Sequence, residues 1–194
     1  MANAPNRPFT APIHPRLTTL RLPCKSSRLV IATRMRTKTV RTTACYADSP
    51  ILGSAWVPVR GVESVVSEVV ESTEAFHQGL CAWWNSSPGI LTLLHIRAKD
   101  FIYPRYALTS LRQLLIPDPR HPNVSLAPLT EVFRKYRNMP LTPWPDMADC
   151  NVRKELDAAS AEVLGKPASV IAEWRRLISI EPTVCQRARD QVQD

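Results

Sequence analysis

The sequence predicts an α+β fold in which short N-terminal strands are followed by a mainly helical domain ending in a helical hairpin. Three observations predict it. Val, Ile and Thr concentrate between Arg28 and Val59, as they do in strands. Apolar residues recur at helical spacing over much of the chain from Thr73 onward. The 18 prolines against 5 glycines break the chain into short elements joined by stiff connections, which excludes a single long bundle.

A length of 194 residues, 44% of them hydrophobic, suits one domain with a proper core plus an irregular arm. Residues 1–27, rich in Pro, Thr, Asn and Arg without an apolar period, predict a disordered basic arm. Residues 28–185 form the α+β domain, with a helical tail over 125–182, and residues 186–194 read as a flexible C-terminus.

Within the domain, Arg28 to Tyr46 predicts one bent strand or two short ones, and Ser54 to Val59 a further strand suited by Pro58 to a sheet edge. Ser72 or Thr73 caps a helix to about Asn85, weakened by Gly79 and ended by Ser87-Pro88-Gly89. Gly89 to Arg97 is a second helix or a buried strand. A short helix covers Leu108 to Leu115 until Ile116-Pro117-Asp118-Pro119 forces the chain out of it. Ser125 caps a helix to about Arg137, with Leu126, Leu129, Val132, Phe133 and Tyr136 facing inward. Asp149 caps the next, which Gly165 stops, and Pro167 opens the last. The stripes Val152, Leu156, Ala159, Val163, Leu164 and Val170, Ile171, Trp174, Leu177, Ile178 predict that these two helices pack as a hairpin. Glu155, Asp157 and Glu162 read as its solvated side. Trp83 and Trp84 are adjacent and point to different sides, one into the core and one toward a neighbouring domain.

Charge is the strongest functional signal. Nine basic residues (Arg7, Arg16, Arg21, Lys25, Arg28, Arg34, Arg36, Lys38, Arg41) precede the first acid, Asp48, and together hold the net charge of +8. Such an excess attracts a polyanion or serves as a targeting label. In a strand, Arg34, Arg36 and Lys38 share one face opposite Met35, Thr37 and Thr39, and such a stripe runs along phosphates or simply faces solvent; Arg41 just beyond it is a further candidate DNA contact. Tyr103, Arg105 and Tyr106 bracket a nucleotide, with Lys99 nearby as a further phosphate contact, or form a proline-pinned turn whose aromatics complete the core.

Other chemistries find no motif. The glycines are isolated, so no phosphate-cradling loop is present, and the four histidines lack metal-type partners. The five cysteines form no CxxC pair and are odd in number, which points to a reducing cytoplasm, and no cofactor is expected. The longest apolar run, near Ile90 to Ile96, is too short to cross a bilayer.

The run Leu80-Cys81-Ala82-Trp83-Trp84-Asn85-Ser86-Ser87-Pro88-Gly89, followed by Tyr103-Pro104-Arg105-Tyr106, Leu111 and Leu115-Ile116-Pro117-Asp118-Pro119, resembles the C-terminal target-recognition region of adenine-specific DNA methyltransferases of restriction-modification type. Arg28 to Val59 looks like the strand region before it. Leu156-Asp157-Ala158-Ala159, Leu164-Gly165, Trp174-Arg175-Arg176-Leu177 and Glu181-Pro182-Thr183 are similar to its helical tail. Trp84 departs from the family, which usually has Leu there. The Asn-Pro-Pro-aromatic motif and the glycine-rich loop for S-adenosylmethionine have no counterpart. The resemblance implies a duplex-DNA specificity module or methyltransferase fragment, not catalytic alone, that works with a separate catalytic chain. The alternative expectation is a small organellar scaffold whose residues 1–45 are a transit peptide.

Overall fold

A computed structural model of the protein describes residues 17–19, 26–37, 39–51, 53–59, 72–97, 106–182 and 184. Within them the fold is α+β. Strands β1 (Leu17–Thr19), β2 (Ser27–Ala32), β3 (Ala44–Ile51), β4 (Trp56–Val59) and β5 (Leu115–Pro117) are joined by helices α1 (Thr73–Asn85), α2 (Ser87–Ile96), α3 (Leu108–Leu111), α4 (Ala127–Tyr136), α5 (Asn151–Leu164) and α6 (Ala168–Ser179). A 3-10 turn covers Trp144–Asp146.

Strands β3, β2 and β4 form an antiparallel sheet in that order, with Val30 opposite both Cys45 and Pro58. Pro58 has no N–H to donate, and it sits on the edge strand β4, where none is needed. Arg28 to Tyr46 thus makes two strands. Because β2 is central, removing residues 1–45, the span of the expected transit peptide, would take away the middle strand of this sheet. The expected arm is also partly structured: Leu17–Thr19 pairs antiparallel with Leu115–Pro117. That pairing ends the predicted helix at Leu111 rather than Leu115.

Helix α1 is the centre of the core. Every residue from Ala75 to Asn85 is buried, because the sheet, α2, α4 and α5 all pack against it. Ser72 caps it, accepting from the Ala75 N–H at 3.1 Å. Trp83 and Trp84 are both fully buried within this chain, so no neighbouring domain is needed to cover either one. Trp83 Nε1 donates to the Leu115 carbonyl at 3.1 Å and ties α1 to β5. Gly79 is explained by packing: a Cβ there would lie 3.0 Å from Thr130 Oγ1 and 3.1 Å from Leu126 Cβ on the α4 side.

Ser87-Pro88-Gly89 does not merely end α1; it opens α2, with proline in the first turn where its missing N–H costs nothing. The corner is so tight that a Cβ on Gly89 would fall 2.1 Å from the Trp83 carbonyl oxygen and 2.6 Å from Trp84 Cα. Downstream, Ser125 Oγ accepts from the Ala127 N–H, but Leu126 occupies the cap position of α4, and Cys150 rather than Asp149 precedes α5. Gly165, at φ 61°, closes α5 in the left-handed conformation, and α6 returns against it as the predicted hairpin.

Two expectations about that hairpin are corrected. Asp157 is not solvated: its side chain is 3% exposed and accepts from the Ser87 N–H (2.7 Å), Ser87 Oγ (2.8 Å) and Arg175 Nη1 (2.8 Å). The α6 stripe divides, with Ile171 and Ile178 buried but Val170 and Leu177 exposed, since the buried face is centred on Arg175. Among the described residues no helix is long and apolar enough to cross a membrane.

Two stability predictions follow from this packing, read by urea unfolding. Asp157→Ala leaves the Arg175 guanidinium and the Ser87 donors buried without their acceptor, and should cost about 3–5 kcal/mol. Gly89→Ala forces backbone against backbone and should cost about 3 kcal/mol, at the upper end of ordinary overpacking. A loss below about 1 kcal/mol in either variant contradicts the role given to that residue.

Candidate nucleic-acid interface

The basic residues singled out in the sequence follow β2, and β2 itself stops at Ala32. The expected stripe is therefore not a continuous strand face. After Thr33 burial alternates for four residues, with Arg34 and Arg36 exposed and Met35 (3% exposed) and Thr37 (7%) buried. It then turns, the Thr39 and Val40 N–H groups both donating to the Arg36 carbonyl. Arg41, beyond the turn, is again exposed.

This segment is fastened at both ends. Thr33 N–H donates to the Ala55 carbonyl (2.8 Å), Tyr106 N–H donates to the Thr33 carbonyl (2.9 Å), and Trp144 N–H donates to the Val40 carbonyl (3.2 Å). The Arg41 carbonyl accepts from Arg153 Nη2. Backbone anchoring of this kind leaves the side chains of Arg34, Arg36 and Arg41 outward on a fixed track. Lys38, Lys99, Tyr103 and Arg105 lie outside the described residues. Tyr106 does not belong to the surface: it is 4% exposed, and its hydroxyl meets no hydrogen-bond partner among the described residues. Its ring completes the core, and burial raises its pKa.

Beside Arg41 lies a feature that sequence reasoning missed. A cavity of about 240 Å³ opens between β3, α1, α4 and α5, lined among others by Thr42, Cys45, Tyr46, Phe133, Tyr136 and Arg137. Its lining comes from four elements far apart in sequence, so no local pattern announces it. Arg137 pairs with Asp48 at 2.8 Å, and Tyr46 packs edge-on against Phe133 while Arg28 sits 4.7 Å over the Tyr46 ring.

Behind the basic segment stands Arg153, fully buried, whose guanidinium donates to the carbonyls of Asn85, Arg41 and Thr142. Burial brings its pKa down to about 10, opposed by Cys150 and Asp157, so it stays charged at neutral pH. Cys150, at the N-terminus of α5, feels the converse field. Partial burial works to raise its thiol pKa, but hydrogen bonds to Thr142 and the Arg153 N–H, with the Arg153 charge, outweigh it and leave the value below that of an ordinary thiol. Burial raises Cys45 and Cys81, the latter far above its usual range.

No protein-family model, curated protein or solved structure matches this chain.

The three thiols among the described residues, all free, should therefore react with iodoacetamide in a fixed order. Near neutral pH Cys150 is alkylated first, and its rate saturates at lower pH than that of a free thiol, because the lowered pKa keeps more thiolate present. Cys45 follows and needs higher pH; Cys81 reacts only once the chain is unfolded. Peptide mapping by mass spectrometry reads the order, and equal rates for Cys150 and Cys45 would contradict the assigned environments.

Proposed function

We propose that this chain is a duplex-DNA recognition module, not catalytic by itself, which lays Arg34, Arg36 and Arg41 along the phosphate backbone. The observation that carries this reading is the alternation of exposed arginine with buried Met35 and Thr37 on a segment whose backbone is held at its two ends, by Ala55 and Tyr106 at one and by Trp144 and Arg153 at the other. Guanidinium groups fixed at one end lose less freedom on meeting phosphates than groups on a loose tail, and phosphate contacts supply affinity and register rather than sequence choice. Lys38, Lys99, Tyr103 and Arg105 extend the proposed surface on the strength of the sequence alone, whereas Tyr106 supports it from inside. Base selection would come from the Tyr103–Arg105 stretch.

The resemblance of Leu80 to Gly89 and Leu115 to Pro119 to the recognition region of adenine-specific DNA methyltransferases supports a narrower form of the same proposal. In it the methyl-transferring machinery resides on a separate chain, and this one supplies target recognition. Free Cys45, Cys81 and Cys150 agree with a reducing cytoplasm as its setting.

Fluorescence anisotropy with a labelled duplex across a salt series tests the reading. Affinity should fall steeply with salt, and the triple variant Arg34→Ala, Arg36→Ala, Arg41→Ala should flatten the slope of log K against log salt by about 2 to 3, near 0.9 per lost phosphate contact. No binding at low salt, or a slope unchanged in the triple variant with its fold intact by circular dichroism, sinks the proposal.

A further inference from the structure

Helix α6 carries two apolar stripes, of which the core uses one. Ile171 and Ile178 face inward on either side of the ion-paired Arg175. On the opposite side Val170 (37% exposed), Leu177 (46%) and Ile180 just past the helix end (55%) form a second aliphatic row, with half-buried Trp174 on its flank. Three of the five large apolar residues exposed among the described residues thus fall within eleven consecutive positions. Single exposed aliphatics are ordinary on a protein surface; a row at helical spacing is a contact surface.

The charges interleaved with this row are self-complementary. Glu173 and Arg176 lie on the same outer face and pair with each other at 2.7 Å, both more than half exposed. In an antiparallel pair of α6 helices related by a two-fold axis that crosses the outer face level with position 175, residues whose numbers add to about 350 meet. Val170 then lies opposite Ile180 of the second copy, Leu177 lies opposite the methylene stem of Glu173, and each Glu173 comes within one residue of the other copy's Arg176. The register that buries the aliphatic row is thus also the one that brings unlike charges together, as an isologous interface requires.

We propose that the outer face of α6, through Val170, Leu177 and Ile180 with Glu173 and Arg176, is a self-association surface that takes a second copy of this chain in antiparallel two-fold arrangement. One helix face is small beside the roughly 1,600 Å² of a standard interface, so the association is weak and concentration-dependent. The proposal does not rest on DNA binding, and its test uses no DNA.

Sedimentation velocity of the full chain from micromolar to several hundred micromolar is the test. The wild type should show a weight-average sedimentation coefficient that rises toward the dimer value, and Leu177→Arg should weaken association at least tenfold without changing the thermal melt, since the side chain is outside the core. Leu108→Arg, an exposed aliphatic on α3, serves as the control and should leave association unchanged. Glu173→Arg should weaken association several-fold through like-charge contact with Arg176, and adding Arg176→Glu should restore it. A concentration-independent monomer overturns the proposal, as does association that survives Leu177→Arg or is lost equally in Leu108→Arg. Failure of the double charge swap to restore association overturns the antiparallel register.

Discussion

The carboxylate of Asp157 is the constraint around which the helices are arranged. A buried carboxylate costs several kcal/mol unless its oxygens are occupied, and here one oxygen takes the Ser87 N–H while the other takes Ser87 Oγ and Arg175 Nη1. Ser87 opens α2, Arg175 sits in α6, and Asp157 itself is in α5, so a single group fixes three helices by directional bonds. Arg175 adds a bond from Nε to the Ala148 carbonyl and so also holds the approach to α5. Apolar packing surrounds this cluster and stabilises whatever geometry it sets; packing alone would tolerate small rotations that these bonds do not.

One turn earlier on the same helix, Arg153 does for carbonyls what Asp157 does for donors. It closes off the Asn85 carbonyl at the end of α1, so that the α1–α2 corner, with Ser86 and Ser87 fully buried, leaves few unmet backbone groups. The same guanidinium reaches Arg41 and Thr142. The core and the basic segment are therefore held by the same side chain, and a disturbance of α5 travels to the surface arginines through a bond rather than through loosened packing. That is the physical basis for regarding Arg34 to Arg41 as a preorganised track.

Much of the architecture was legible because it depends on local chemistry. Ser72, Gly165 and Pro167 mark helix boundaries through their own conformational preferences, and Pro58 marks an edge through its missing donor. What was not legible depends on partners distant in sequence. Asp157 and Arg153 sit in a helix with charged neighbours such as Lys154 and Glu155, and nothing nearby distinguishes the two that turn inward; the distinction lies in Ser87 and Asn85, some seventy residues away. Trp84 is buried because α1 is enclosed on all sides, which a period of one apolar face cannot express. For the candidate interface, the alternation at Arg34 to Thr37 was legible as a pattern even though the strand that would carry it was not there. The cavity beside Arg41 was not legible at all, and Tyr106, grouped by sequence with the surface, was claimed by the core.

The short ladder between β1 and β5 has a consequence for how the chain is made. Leu17–Thr19 leaves the ribosome about a hundred residues before its partner Leu115–Pro117, a delay on the order of ten seconds at ordinary rates of synthesis. During that interval β2, β3 and β4 are all available to pair among themselves, because they are neighbours in sequence. The β1–β5 sheet is thus the one that must wait for distant sequence, whereas the three-stranded sheet has all its strands early. Three residues give the ladder few backbone bonds.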